Sequence, residues 1–428
     1  MEFAQAMKTF GLIDCNSFYV SCEKIFNPYL RDKACVVLSN NDGAVVARDA
    51  ASKKLGIKMG QPFFEIKDFV NNGQVIPCSS NYALYQDISN RVVKVIKSYV
   101  PAYEIYSIDE CFVDLTGIKE SQLNSLCKEI QHRIYKDVGM PVGIGVGRTK
   151  TLAKLNNWAS KNWKDKTNGV VVLLDMERQN KLLKYSDVNE VWGIGSRTTE
   201  KLKYLNISKA FHLADFDKKT LRKHFNVNVE RTARELQGTV CFSLSEGPEP
   251  KKNIASTRMF GERIKDLDLL RQAVATYAAR AGVKLRKEGQ LTSCLQVFIQ
   301  TSRFDSLPYS RTAMIALEAP TDDTRELIAA AQAGLSEIFR PGFAYAKAGI
   351  LLSQFIDKSG YVSDLFAKPE RRNTEKLMNL IDYVNRTQGS GTIRFAAEPE
   401  CSAWGMKREF LSPAYTTKWS DLLKVRTT

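Results

Sequence analysis

Residues 103–115 read Tyr103-Glu104-Ile105-Tyr106-Ser107-Ile108-Asp109-Glu110-Cys111-Phe112-Val113-Asp114-Leu115. Two short β-patterned segments meet here at a bend, with adjacent carboxylates, Asp109 and Glu110, at its tip. Successive strand residues point to opposite faces, but a bend relaxes that rule and lets both carboxylates look into one space. Two negative charges so placed repel, and an oxygen-seeking divalent cation is the usual remedy. A solvated acidic hairpin turn is the competing reading, and a third carboxylate would favour the metal site. Phe10-Gly11-Leu12-Ile13-Asp14-Cys15-Asn16-Ser17-Phe18-Tyr19 offers one, because a short apolar run ends in Asp14 before a helix-like aromatic segment. Such an all-oxygen set suits Mg²⁺ or Mn²⁺ and serves zinc poorly. The chain has three histidines, His132, His212 and His224, with no H-x-x-x-H or H-E-x-x-H spacing. Imidazole-based zinc or triad chemistry is disfavoured, which leaves two-metal phosphoryl or nucleotidyl transfer.

At 428 residues, with 44% hydrophobic and 25% charged side chains, the chain can hold several ordinary globular domains. No apolar stretch reaches the length of a membrane span, and the start lacks a signal peptide's basic-then-apolar pattern, so a cytoplasmic protein is expected. Nine cysteines stand singly with no CxxC pair, which argues against a disulfide framework or zinc finger. The net charge is +15 and the pI about 9.3. A basic surface beside acidic metal ligands fits a polyanion that itself carries metal, and nucleic acid fits best. A membrane surface is the weaker fit, since no basic amphipathic helix with bulky apolar anchors stands out.

Outward from the bend, strands alternate with helices, which indicates an α/β catalytic core. Residues 34–39 and 44–47 read as strands around the turn Asn40-Asn41-Asp42-Gly43, followed by an Ala/Lys-rich helix through Leu55. A long helix lies within 78–100, and Val142-Gly143-Ile144-Gly145-Val146-Gly147 is a core strand opening into a helix with Lys150, Lys154 and Lys161. Gly193 and Gly195 bracket one apolar residue ahead of a Thr-rich helix with Lys201, Leu202, Leu205 and Ile207. That pattern suits a helix-hairpin-helix, whose glycine turn offers backbone N–H groups to a DNA phosphate; a plain glycine turn is the alternative. After a linker at 243–253, the order is strand (255–262), helix (266–288), strand (292–301), strand (311–317), helix (321–339) and strand (344–353). Residues 357–428 show one helix at 375–386 and no comparable pattern.

Taken in order, Asp14 with Phe18-Tyr19, Ser107-Ile108-Asp109-Glu110, the Lys161 helix, Gly193-Ile194-Gly195 and the detached C-terminal unit resemble the Y-family translesion DNA polymerases, on their bacterial SOS branch. Ser39-Asn40-Asn41-Asp42-Gly43, Lys150-Thr151-Leu152-Ala153-Lys154 and Leu411-Ser412-Pro413 support it, and the likeness runs from about Gly11 to Val425. The resemblance implies a multidomain α/β right hand. Its parts would be a palm (8–17 and 77–174), small fingers (18–76), a helical thumb with the helix-hairpin-helix (175–242), a β-α-β-β-α-β little finger (254–356) and a partner-binding C-terminal region (357–428).

It also implies that Asp14, Asp109, Glu110 and the backbone carbonyl of Cys15 hold two Mg²⁺ ions, with Mn²⁺ as a substitute. Lys53 and Lys161 would bind the dNTP triphosphate. Ala50 stands where many members carry a tyrosine, so Arg48 is the candidate to supply that contact. Phe18 and Tyr19 fall at nucleotide-binding positions, Tyr19 as the steric gate against a 2′-hydroxyl, with core packing as the other reading of Phe18. Gly193, Gly195, Lys201 and Arg258 would grip primer-template DNA. Leu365 and Phe366 keep the apolar end of a β sliding-clamp motif whose leading Gln is absent. The implied partners are a UmuD′ dimer, a RecA filament and single-stranded DNA-binding protein. A DNA-binding scaffold that keeps the fold without catalysis, and a palm-fold nucleotidyl cyclase, are the rival classes. Three intact carboxylates weigh against the first, and two DNA-gripping modules against the second.

Overall fold

The structure, a computed structural model, describes residues 7–245, 247, 250–362, 373–400 and 404–422. The chain forms two compact units: one of Met1–Ser39, Gly43–Pro248 and Glu409–Thr428, the other of Asn40–Asp42 and Glu249–Arg408.

The first unit is built on β1 (Phe10–Cys15), buried along its whole length. Strands covered on both faces read as continuous apolar runs, which is why this segment shows no alternation. Helix α1 (Phe18–Phe26) follows. Then come β2 (Cys35–Leu38), β3 (Val45–Arg48), α2 (Ala50–Lys54), α3 (Lys67–Asn71), β4 (Ile76–Ser79), α4 (Tyr82–Lys97), β5 (Tyr103–Ile105), β6 (Glu110–Asp114), α5 (Glu120–Val138), β7 (Val142–Gly147), α6 (Lys150–Asn162), α7 (Lys164–Thr167) and β8 (Val170–Val172). The main sheet has the order β5-β6-β1-β7-β8 and a small second sheet the order β3-β2-β4. Register places Asp14 opposite Glu110 on one side and opposite Gly143 on the other.

The alternation in β7 decides what covers the main sheet. Val142, Ile144 and Val146 join a core with Ile13, Cys15 and the inward residues of α4 and α5. The glycines between them face α6, as do Phe10, Leu12 and Phe112, which pack with Ala153. A Cβ at Gly145 would land on the backbone nitrogen of Asn157 and the carbonyl oxygen of Ala153, so the helix lies as close as glycine permits. Asp14 shares the side of Phe10 and Leu12, and Glu110 that of Phe112, because side chains alternate along a strand. The sheet therefore carries both carboxylates toward α6.

Beyond β8, α8 (Met176–Tyr185), α9 (Ser196–Tyr204), α10 (Ala210–Asp215), α11 (Lys218–His224) and α12 (Val227–Leu236) enclose a core of Leu183, Leu202, Leu213, Leu221 and Leu236. Buried Glu235 ties this bundle to α6, since it accepts from Thr151 N (2.9 Å), Thr151 Oγ1 (2.7 Å), Cys241 N (3.0 Å) and Phe242 N (2.9 Å).

The second unit runs β9 (Ile254–Ile264), α13 (Leu267–Lys287), β10 (Gln290–Gln300), β11 (Ser310–Thr321), α14 (Thr324–Ile338) and β12 (Tyr345–Asp357), with sheet order β11-β10-β12-β9. Its strands outrun the sequence reading, because the ends carry polar residues that blur a period-two pattern. Helix α15 (Thr374–Thr387) belongs here and is pinned by a two-pronged ion pair between Arg286 and Asp382, at 2.7 and 2.8 Å. The region 357–428 is thus not one body: α15 lies in the second unit, and the described residues from Glu409 lie in the first. No described helix is long and apolar enough to cross a membrane.

Gly145→Ala should lower stability by about 3 kcal/mol, since the obstacle is backbone and cannot rotate away. Gly195→Ala, where a Cβ meets nothing, should cost under about 1 kcal/mol. Denaturant midpoints of the two variants check the contrast, and equal losses would contradict the close approach of α6.

Candidate active site

At the bend, the Ser107 hydroxyl accepts from the backbone N–H of Glu110 (3.0 Å) and Asp109 (3.3 Å) and donates to Asp109 Oδ1 (2.5 Å). One serine thus closes the turn and fixes the first carboxylate. The carbonyl of Asp109 accepts from Cys15 N at 2.9 Å, which locks the bend to the end of β1. Asp14 is buried and ion-paired with Lys161 at 2.6 Å, and Glu110 is paired with Lys154 at 2.8 Å. Burial pushes the Asp14 carboxyl up to about 6; Lys161 opposes this, while Glu110 and Asp109 add to it. Burial likewise raises the neighbouring Cys15 thiol, which leaves its sulfur a poor ligand and its carbonyl the better donor.

Among the described residues no group of three or more His, Cys, Asp and Glu side chains stands as a preformed metal cage. Each carboxylate instead holds a lysine or serine partner. The donors still fit a hard cation: three carboxylates and a carbonyl on neighbouring backbone, the acidic groups close enough that Glu110 and Asp109 add to the rise that burial causes at Asp14. The two lysine ammoniums occupy the electrostatic role a divalent ion would take over.

Ser17 adopts a left-handed conformation (φ 48°) and turns the chain from β1 into α1. The turn puts Phe18 in the core at 4% exposure, in edge contact with Tyr85, so its ring is core and offers no face to a nucleotide. Tyr19 is half-buried, with its ring stacked on Tyr85 at 4.5 Å and 18°, and Tyr82 edge-on at 6.1 Å. Burial raises its phenol, with Tyr82 and Asp109 adding to the effect, so Tyr19 stands within electrostatic reach of the bend. Lys53 is exposed on α2. Arg48 ends β3 with a guanidinium N–H donated to the Ile57 carbonyl, while its buried Nε has no partner. That tether leaves part of the guanidinium engaged away from any phosphate. Lys161, expected at a triphosphate, is bound to Asp14 instead.

Sequence reasoning missed several residues that organise this site. Lys154 lies between Glu110 and two aromatic faces, 4.7 Å from the Tyr106 ring and 5.8 Å from the Trp192 ring. Trp192 Nε1 donates to the Tyr106 hydroxyl at 3.0 Å, which joins the residue before the glycine turn to the bend. Buried Lys150 pairs with Glu104 at 2.6 Å. A lysine three or four residues after another on a helix was the sole signal for these contacts.

Gly193 has φ 83° and Gly195 caps α9, with Lys201 exposed on that helix. Between α8 and the glycine turn lies one 3₁₀ turn, Val188–Glu190. An antiparallel bridge between Asp187 and Lys209, with Val188 N donating to Ser208 O at 2.9 Å, ties its start to the chain leading into α10.

Arg258 shares the inward side of β9 with Ile254, Ser256 and Phe260, yet is exposed. Its charge helps lower Arg280 and Lys284, both lowered first by burial, so three cations gather beside α13. A polyanion would relieve their repulsion. Leu365 and Phe366 lie outside the described residues.

A sheet that presents paired carboxylates to a lysine-bearing helix, followed by a helical bundle and a β-α-β-β-α-β unit, is the arrangement of a right-hand polymerase. A solved Y-family DNA polymerase chimera of Dbh and Dpo4 shares the fold, with a TM-score of 0.64 at 21% identity, covering 81% of this chain and 99% of that one. The impB/mucB/samB family model matches residues 13–157, its C-terminal domain matches 251–365, and a domain of unknown function matches 375–425. The chain belongs to the impB/mucB/samB family. Protein UmuC of Salmonella typhimurium strain LT2 is 45% identical over 97% of this chain and 100% of its own length. A protein named DNA polymerase IV from Desulfatibacillum aliphaticivorans is 24% identical over 90% and 95%.

Ser107→Ala should weaken Mn²⁺ binding, read by isothermal titration, about tenfold, because the bend would lose the group that orients Asp109. Its stability should fall by about 1–2 kcal/mol. Unchanged affinity would show that the serine closes the turn without orienting a ligand.

Proposed function

We propose that this chain is an error-prone translesion DNA polymerase of the SOS damage response, transferring a deoxynucleotide from a dNTP to a primer 3′-hydroxyl opposite damaged template bases. The observation that carries this reading is the pairing of Asp14 with Glu110 across β1 and β6, with Asp109 locked beside them, in a family member of this length and order. The chemistry expected of two bound Mg²⁺ or Mn²⁺ ions is to acidify the primer hydroxyl and offset charge on the departing pyrophosphate. Asp14, Asp109, Glu110 and the Cys15 carbonyl would hold them.

The chain's own groups do the rest. Lys161, which reaches the site to pair with Asp14, would offer its ammonium to a triphosphate, with exposed Lys53 and the Arg48 guanidinium as further contacts. The Tyr19 ring, backed by Tyr85, sets a wall against the sugar where a 2′-hydroxyl would project. The Gly193–Gly195 turn with Lys201, and Arg258 with its basic neighbours, suit backbone phosphates, which position DNA without reading its sequence. A UmuD′ dimer, a RecA filament, single-stranded DNA-binding protein and a sliding clamp are the partners this reading implies.

Primer extension past an abasic site with Mg²⁺, with and without UmuD′ and a RecA filament, tests the assignment. The wild type should extend and Asp109→Ala should be slower by about a hundredfold or more. Equal extension by both would overturn the carboxylate assignment, and none from either under any condition would favour a scaffold.

Tyr19→Ala should raise ribonucleotide incorporation while largely sparing deoxynucleotide incorporation. Unchanged sugar selection in single-nucleotide assays would remove Tyr19 from the gate.

A further inference from the structure

The described C-terminal residues from Glu409 return to the first unit and meet α1, which carries Tyr19, and the start of α4, whose rings pack on it. Phe410 forms a reciprocal pair with Ser79: its carbonyl accepts from Ser79 N at 2.9 Å, and its N–H donates to Ser79 Oγ at 3.0 Å. The Asn81 side-chain amide donates to Ser412 Oγ at 3.0 Å and lies 3.3 Å from the carbonyls of Ser412 and Pro413. Tyr415 stacks on Phe26, the last residue of α1, at 4.9 Å and 13°. One strap therefore grips the end of α1 and the start of α4.

Asn81 is also the N-cap of α4. Its side-chain oxygen accepts from Leu84 N at 3.3 Å and its carbonyl from Tyr85 N at 3.0 Å. The turn it closes carries Tyr82 and Tyr85, the two rings packed on Tyr19. Fully buried Tyr85 is fixed at its other end as well, because its hydroxyl donates to Glu23 Oε1 at 2.7 Å. Glu23 lies one helical turn beyond Tyr19 on α1 and is itself buried; burial raises its carboxyl, while Tyr85 and then Ser412 oppose the rise. A phenol stacked on the gate ring and anchored at its hydroxyl cannot slide. Small displacements at such a wall matter, since misplacing a group by about 1 Å can change rates by orders of magnitude.

We propose that Tyr85 is a positioning residue for the sugar-selecting ring of Tyr19, and that the strap of residues 410–415 holds it in register, so that the C-terminal tail sets the stringency of sugar selection. This rests on the polymerase reading and assigns a role to part of the domain of unknown function. The strap does not touch the nucleotide. It acts through the Asn81 cap and the Glu23–Tyr85 hydrogen bond.

The test uses the full chain with its partners and compares kcat/KM for a deoxynucleotide and its ribonucleotide. Asn81→Asp keeps the cap acceptor and discards the amide donors to the strap; Tyr85→Phe keeps the ring and discards its anchor. Ser412→Ala removes a half-buried hydroxyl of the strap without adding bulk or charge. Each should lower sugar discrimination about three- to tenfold, the loss of one or two hydrogen bonds, while deoxynucleotide kcat/KM stays within about twofold. Joined to Tyr19→Ala, none should lower it further, because the ring they position is gone. Unchanged discrimination in all three variants, with Tyr19→Ala still relaxed, would overturn the inference and leave the polymerase reading standing. A parallel fall for both sugars would also overturn it, by marking the strap as merely structural. No effect of Tyr19→Ala itself would sink the gate assignment and this inference together.

Discussion

Three carboxylates crowd the end of the central strand, and α6 supplies the charge that makes such crowding tolerable. Lys154 and Lys161 are seven residues apart, two helical turns, so they project from the same face of α6 toward Glu110 and Asp14. They reach because the helix lies against a strand whose helix-facing residues are glycines. A methyl group at Gly145 would force the helix backbone outward and take both ammoniums with it. The balance of charge at the bend is in this sense a consequence of backbone packing one layer away. The same two lysines are the partners that Glu110 and Asp14 hold at the bend.

The aromatic residues around the bend extend this dependence into the helical bundle. Lys154 is shared between a carboxylate and the Tyr106 and Trp192 rings, and Trp192 hydrogen-bonds to Tyr106. The glycine turn opening α9 is therefore anchored to the strand pair that bears Asp109 and Glu110. Glu235, accepting four hydrogen bonds, makes a second tie between α12 and the start of α6. Charge placed on the bend acts on groups already connected to the glycine turn that opens α9.

What could be read from the sequence followed from local pattern. The bend, the Asp14 strand, the Val-Gly alternation and the β-α-β-β-α-β order all carry their signal within a dozen residues. The site residues missed are those whose partners are distant in sequence. Lys154 and Glu110 are 44 positions apart, and Trp192 and Tyr106 are 86 apart. Spacing identifies a lysine on a helix face but not the strand opposite that face. The bridge between Asp187 and Lys209 is likewise a pairing of residues too far apart for local pattern to show. Arg258 was legible as a basic residue on a strand. That its charge joins Arg280 and Lys284 beside α13 depended on the fold.

The tail is the extreme of the same limit. Residues 409–422 carry no periodic pattern, and their order comes from the groups they meet: an asparagine amide, a serine and the open face of Phe26. Each of those groups does something else in the core as well. Asn81 caps a helix, Ser79 ends a strand and Phe26 closes α1. Phe410 also packs against the Val36, Leu38 and Val45 core and meets Phe63 edge-on at 5.6 Å, so any shift in the segment must reach α1 and α4 together. Those two helices carry Tyr19 itself and the rings packed on it, so the least patterned part of the sequence bears on the setting of that side chain.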